Sequence, residues 1–266
     1  MKRLAIVICI LFAVGTGAFG CAALSKKTQK QPTKSIVVLV DLSISTAPVR
    51  PVYASSFEKI LESVGHGDAV TAAKITDSSI TEPEIPINKE FPPFVALDST
   101  GKPTDNQLLV EKAKKEADQR ILQEKKLLLS SFRGFVNPQV NTAGKAGGTP
   151  RTDIMSSLIV AQNVFKSQKR DNNVLVIMSD MVEDSGNYSF PKEKLTDDRI
   201  AEIINNEKAN GRLPDLSGVK VYVVAAGSKD SNQFLQVRKF WLRYLKEAGA
   251  IINEENYGNS LIGFSV

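Results

Sequence analysis

Residues 36–45 read IVVLVDLSIS, and two kinds of chemistry meet inside them. Ile36, Val37, Val38, Leu39 and Val40 form an unbroken apolar run, mostly β-branched, with nothing polar on alternate positions. A strand wetted on one side alternates; one without alternation is covered on both faces, as in a parallel sheet between helical layers. Asp41, Ser43 and Ser45 follow at i, i+2 and i+4. In an extended stretch their side chains point the same way and offer one carboxylate and two hydroxyls.

Outward from this stretch the same strand pattern recurs at residues 69–75 (AVTAAKI), 174–178 (VLVIM) and 219–225 (VKVYVVA). Helical periods occupy residues 53–64, 105–132, 153–167, 197–210 and 232–248. Strands alternating with helices predict an α/β fold: a doubly wound, mostly parallel sheet with helices on both faces. Residues 91–97 add a further strand, and Pro92 and Pro93 place it at an edge or in a connection. The helix around 105–132 carries its apolar stripe on Val110, Ala113, Ala117, Ile121 and Leu128, with charge elsewhere, which predicts a surface helix lying on the sheet.

Two further polar segments fall at comparable places. Ser179-Asp180 follows the run 174–178, and Gly147-Gly148-Thr149-Pro150-Arg151-Thr152-Asp153 leads into the helix that begins near 153. In open α/β sheets, ligands bind beyond the carboxyl ends of the strands at a topological switch point, so these loops converge on one edge. The donors they bring are all oxygen, without imidazole or thiolate. That set selects a hard divalent ion, Mg²⁺ first, with Mn²⁺ and Ca²⁺ accepted by the same donors, and disfavours zinc. Two carboxylates and three hydroxyls, with one carboxylate acting through water, leave a coordination place for an outside oxygen.

Asp41-x-Ser43-x-Ser45 after the first strand, Thr149 in a later loop and Asp180 after a later strand resemble the metal-ion-dependent adhesion site of the von Willebrand factor A domain. The resemblance implies that Asp41, Ser43, Ser45 and Thr149 are metal ligands, and that Asp180 reaches the ion through water. It also implies that a partner protein supplies an acidic side chain to the open place. Two departures stand out: Met181 occupies the position after Asp180 where that family commonly has Gly, and Thr149 comes 108 positions after Asp41, which suggests a helical insertion around 98–140. Taken singly, each piece also has a local reading. Asp41 and Asp180 could brace turns, Ser43 and Ser45 could be turn hydroxyls, and the loop 147–153 could end in a helix N-cap at Asp153. Glu183 and Asp184 add charge that could attract cations or be merely solvated.

The amino-terminal residues 1–20 have the three parts of a secretory signal: Lys2 and Arg3, the apolar run 4–14, and small residues at 15–18. Ala18-Phe19-Gly20-Cys21 resembles the lipobox of bacterial lipoproteins, although that family usually has Leu where Ala18 stands and a small residue where Phe19 stands. The resemblance implies cleavage before Cys21 and lipidation of its thiol, hence a lipid-anchored protein of the bacterial cell envelope. Ala22 leans the expectation toward the outer membrane. Cys9 lies inside the leader, so Cys21 would have no disulfide partner, and acylation removes a thiol that an oxidising compartment would leave exposed. Residues 21–34, polar and containing Lys26, Lys27, Lys30 and Lys34, read as a tether, and residues 35–266 as one domain.

Composition and charge close off other classes. With 42% hydrophobic and 24% charged residues, the chain is neither disordered nor a disulfide scaffold. Its formal charge is +5, and +3 once Lys2 and Arg3 are set aside, which is too mild for a nucleic-acid partner. The lone histidine, His66 in Gly65-His66-Gly67-Asp68, reads as a turn residue, which leaves no His-based triad or metal site. No GxxxxGK[ST] occurs, and the one GxGxxG, Gly15 to Gly20, lies in the leader. A Mg²⁺-dependent phosphohydrolase with Asp41 as nucleophile would resemble the haloacid dehalogenase family, but Ser43 stands where that family needs a second Asp. The expectation is therefore a binding module rather than an enzyme, with a metal-free structural envelope lipoprotein as the alternative. The sequence assigns no subunit number.

Overall fold

The computed structural model describes residues 32–137, 151–227 and 231–265. Cys21, the rest of the leader and tether through residue 31, and Thr149 lie outside the described residues. In chain order the elements are β1 (Lys34–Asp41), α1 (Arg50–Ser63), β2 (Ala69–Ile75), β3 (Ile87–Glu90), α2 (Gln107–Val136), α3 (Ile154–Gln168), β4 (Asn172–Met178), α4 (Asp197–Ala209), β5 (Lys220–Val224) and α5 (Ser231–Glu247). The sheet order is β3-β2-β1-β4-β5; every pairing is parallel except the antiparallel edge pair β2–β3. The doubly wound α/β architecture is therefore as expected. The chain leaves β1 toward β2 on one side and later returns to place β4 on the other, so the switch point lies between β1 and β4.

The unalternating run of β1 is explained by a core on each face. Val37 and Leu39 join Leu175, Ile177, Val221 and Val223 in a layer against α3, α4 and α5. Ile36, Val38 and Val40 join Val70, Val174, Val176 and Tyr222 in a second layer against α1 and α2. Burying a large aliphatic side chain is worth roughly 1.5–3 kcal/mol, so no β1 position from 36 to 40 can be polar without cost.

Two elements depart from the expected positions. The edge strand is Ile87–Glu90, not 91–97, and residues 91–97 hold only an isolated bridge from Leu97 to Pro103. Phe91 N–H still donates to Asp68 O at 2.8 Å, but Pro92 and Pro93 have no N–H to continue a ladder. The helix α2 docks chiefly on α1 rather than lying on the sheet. Phe132 stacks on Phe57 with ring centroids 4.0 Å apart, whereas only Ile121 of the expected stripe is buried. Ala113 and Ala117 are too small to carry a contact; the large rings sit nearer the carboxyl end. Among the described residues no helix is long and apolar enough to cross a membrane.

Candidate metal centre

The register of β1 on β4 pairs Val40 with Met178, which brings the carboxyl ends of the two central strands side by side. Asp41 is the last residue of β1 and is fully buried. Its Oδ1 accepts the Ser43 N–H at 2.8 Å, and its Oδ2 accepts the Ser179 hydroxyl at 2.7 Å. The chain then enters a 3₁₀ turn, Ile44–Val49. The Thr46 hydroxyl donates to the carbonyls of Asp41 and Ser43, each 2.9 Å away, and Arg50 Nη2 donates to those of Leu42 at 2.8 Å and Ser43 at 3.1 Å. The stretch 41–45 is thus not extended throughout: Asp41 ends the strand and Ser43 is extended, but Ile44 and Ser45 are already in the 3₁₀ coil. Ser43 and Ser45 come together because the chain coils, with their Oγ atoms 3.0 Å apart.

Asp180 approaches from β4. Its Oδ1 accepts the Val182 N–H at 3.0 Å, and the Ser45 hydroxyl lies near enough to favour its ionised form. Met181 adopts φ 66°, the left-handed conformation that favours glycine. The turn is therefore the one a Gly would make, with the methionine side chain turned into the core instead. Met181 N–H donates to Ser179 Oγ at 2.9 Å, and Met181 O accepts Trp241 Nε1–H at 2.7 Å from α5.

Burial, with the neighbouring Asp180 charge second, pushes the Asp41 carboxyl above its ordinary pKa; burial likewise raises Asp180, against the lowering effect of the nearby Ser45 hydroxyl and the Val182 N–H. Among the described residues no Lys or Arg forms an ion pair with either. Two buried tyrosine hydroxyls, Tyr53 and Tyr257, find no hydrogen-bond partner among the described residues. Burial first raises both phenols; Asp41 and Asp180 add to this at Tyr53, and Asp180 adds to it at Tyr257. The centre therefore holds one buried and one half-buried carboxylate, adjacent hydroxyls and, among the described residues, no ion-paired cation. Such a donor set fits a hard divalent ion. Among the described residues no group of three or more His, Cys, Asp or Glu is placed to hold a metal, as expected of a site whose other donors are hydroxyls.

Of the expected ligands, Asp41, Ser43, Ser45 and Asp180 are together; Thr149 lies outside the described residues. Asp153 is the N-cap of α3, accepting the Ser156 N–H at 2.9 Å. His66 sits on the turn between α1 and β2, at the amino ends of the parallel strands and hence on the edge opposite the centre, where its Nε2 is 3.0 Å from Asp118 Oδ1. Glu183 requires a correction: it is neither solvated nor open to cations but fully buried, its Oε2 accepting the N–H groups of Ile154 at 2.9 Å and Met155 at 3.3 Å. Sequence reasoning also passed over Thr46 and Ser179. Ser179 had a usable signal, since it follows a buried strand directly and precedes the second Asp.

No family profile and no curated protein matches the chain. Several solved structures align with the chain at low similarity. The pilus adhesin SpaC of Lactobacillus rhamnosus GG, in an open conformation, aligns at 10% identity and a TM-score of 0.45 over 87% of this chain and 28% of its own. Three N-terminal domains of the type V pili tip protein Mfa5 from Porphyromonas gingivalis align at 9% identity and 0.37, covering 75% and 29%. A von Willebrand factor type A protein from Catenulispora acidiphila aligns at 10% and 0.33, covering 82% and 42%. The chain thus spans less than a third of the two pilus proteins. At this distance none of the three transfers an activity or a ligand to it.

Proposed function

We propose that the edge formed by β1 and β4 is a divalent-metal adhesion site through which a lipid-anchored cell-envelope protein binds an acidic group on a partner protein. One observation carries the reading: at neighbouring strand ends the buried Asp41 carboxylate and the half-buried Asp180 carboxylate lie close enough for their charges to repel, and among the described residues neither forms an ion pair with a cationic side chain. Asp41, Ser43 and Ser45 would hold the ion directly, with Thr149 as the donor that the resemblance adds, and Asp180 would reach it through water. When bound, Mg²⁺ supplies a Lewis-acidic place for an outside carboxylate. The protein's own residues do the rest: Ser179 and the Ser43 amide fix the orientation of Asp41, and Thr46 and Arg50 hold the 3₁₀ turn. Ile44, 69% exposed between the two serines, gives a partner an apolar contact beside the charged one. Nothing here requires a bond to be broken, so the reading is of a binding module.

The second reading, a metal-free structural lipoprotein, has an observation of its own: both carboxylates already brace turns through Ser43 N–H and Val182 N–H. Calorimetric titration with Mn²⁺ and Mg²⁺ separates the two. Saturable binding that Asp41→Ala abolishes, with capture of an envelope protein that EDTA reverses, is expected. Absence of binding to the folded chain, or capture indifferent to both EDTA and Asp41→Ala, rejects the metal reading. The anchor is tested apart from the site: Cys21→Ser is expected to move the chain from the membrane fraction to the soluble one.

A further inference from the structure

Glu183 is the fully buried carboxylate that the site as described does not use. It lies on the connection after β4, three residues past Asp180. Its Oε2 takes two of the free N–H groups in the first turn of α3, from Ile154 and Met155, while Oε1 has no partner among the described residues. The adjoining backbone repeats the link: Thr152 N–H donates to Asp184 O and Asp184 N–H to Thr152 O, both at 3.0 Å. Four hydrogen bonds thus tie residues 183–184 to residues 152–155.

Burying a carboxylate without a cation is costly, and an apolar side chain would fill this place at less expense. What an apolar side chain cannot do is accept two amide protons at a defined point. Just before Asp180, Ser179 is tied to Asp41 Oδ2, and just after it Met181 O is held by Trp241. Asp180 therefore sits on a short span pinned at both ends, to β1 and α5 before Val182 and to α3 after it. We infer that Glu183 is a positioning residue for the metal centre, clamping the Asp180 loop to the start of α3 so that the Asp180 carboxyl stays in register with Asp41 and Ser45. The inference rests on the metal reading above and concerns what keeps its donors in place.

The test compares Mn²⁺ affinity and thermal midpoint in the full-length chain and four variants. Glu183→Leu fills the space and removes the acceptor, Glu183→Asp shortens the arm by one methylene, and Glu183→Gln keeps an acceptor oxygen. Ile203→Val loosens the core on α4 without touching the clamp. Groups that orient metal donors typically change affinity by about 10–100-fold when removed. Glu183→Leu and Glu183→Asp are expected to weaken Mn²⁺ by about tenfold or more; Glu183→Gln and Ile203→Val are expected to stay within about twofold of the parent, whatever their midpoints. A purely structural Glu183 would lower the midpoint and leave the affinity of the folded protein unchanged. If Glu183→Leu does not fold, Glu183→Asp decides alone. Parental affinity in the Leu or Asp variant overturns the inference, and so does a loss in Glu183→Gln equal to that in Glu183→Leu. A parent chain that binds no Mn²⁺ is a different failure, that of the metal reading itself.

Discussion

At Met181 the backbone and the side chain have opposite demands. A φ of 66° is strained for any residue with a Cβ, by about 1 kcal/mol, yet the methionine side chain is wholly inside the core. Truncation to Ala gives up the burial and keeps the strain; truncation to Gly gives up slightly more burial and relieves it. Met181→Gly is therefore expected to be more stable than Met181→Ala by about 1 kcal/mol in urea unfolding, although both fall below the parent. Asp41 carries a different tension, because its ionised form is disfavoured by burial and by Asp180. Asp41→Asn retains the acceptor for the Ser43 amide and removes the buried charge. In EDTA at pH 8 its thermal midpoint is expected to be no lower than the parent's. The parent should gain about 2.7 kcal/mol from Mg²⁺ at a hundred times its dissociation constant, and the variant should gain nothing.

Among the elements, α2 shows how far a periodic stripe can mislead. Its expected face is real, since Val110, Ala113, Ala117 and Leu128 are half-buried and Ile121 is buried, but the contact that fixes the helix is the Phe57–Phe132 stack onto α1. Phe132→Ala is expected to lower the unfolding free energy by about 3–5 kcal/mol, read from urea denaturation, because it empties a fully enclosed site between two helices. A truncation on the alanine stripe, Ala117→Gly, should cost only about 1 kcal/mol, the helix-propensity difference. The 3₁₀ turn Ile44–Val49 is the other element that the period missed. Pro48 lies inside it and Pro51 in the first turn of α1, so the segment leaves the strand and coils before the regular helix begins.

Across the whole molecule the acids perturbed by burial, two of them fully enclosed and two half-buried, act together. Asp41, Asp153, Asp180 and Glu183 are each raised, in every case by burial before any other cause. A carboxyl with a raised folded pKa binds its proton more tightly in the native state than in the unfolded chain. Its contribution is therefore fully present below the ordinary carboxylate range and is lost as pH rises through the folded value. The acids shifted the other way, among them Asp98, Asp197 and Asp215, are fully exposed, where solvent screens their effect. The thermal midpoint in EDTA is accordingly expected to fall as pH rises from about 4.5 toward 8. Glu183→Gln should flatten the slope, since an amide has no proton to lose there. Added Mg²⁺ should oppose the fall at the high end, where ionised Asp41 and Asp180 are ready to take it.

The run Ile36 to Val40 was enough to establish a strand covered on both faces, and its repetition between helical periods was enough for the doubly wound sheet, because burial on two sides forbids alternation wherever it occurs. That Asp41, Ser43, Ser45 and Asp180 gather at one edge of the sheet could be read from the chain alone, since each follows a strand whose carboxyl end lies there. Register decided the remainder. That Ser179 lies against Asp41, that Ser45 comes near Asp180, and that Glu183 turns inward to the first amides of α3 all depend on how β4 lies beside β1 and where α3 begins. Those are relations between segments distant in sequence, and local periodicity contains no term for them.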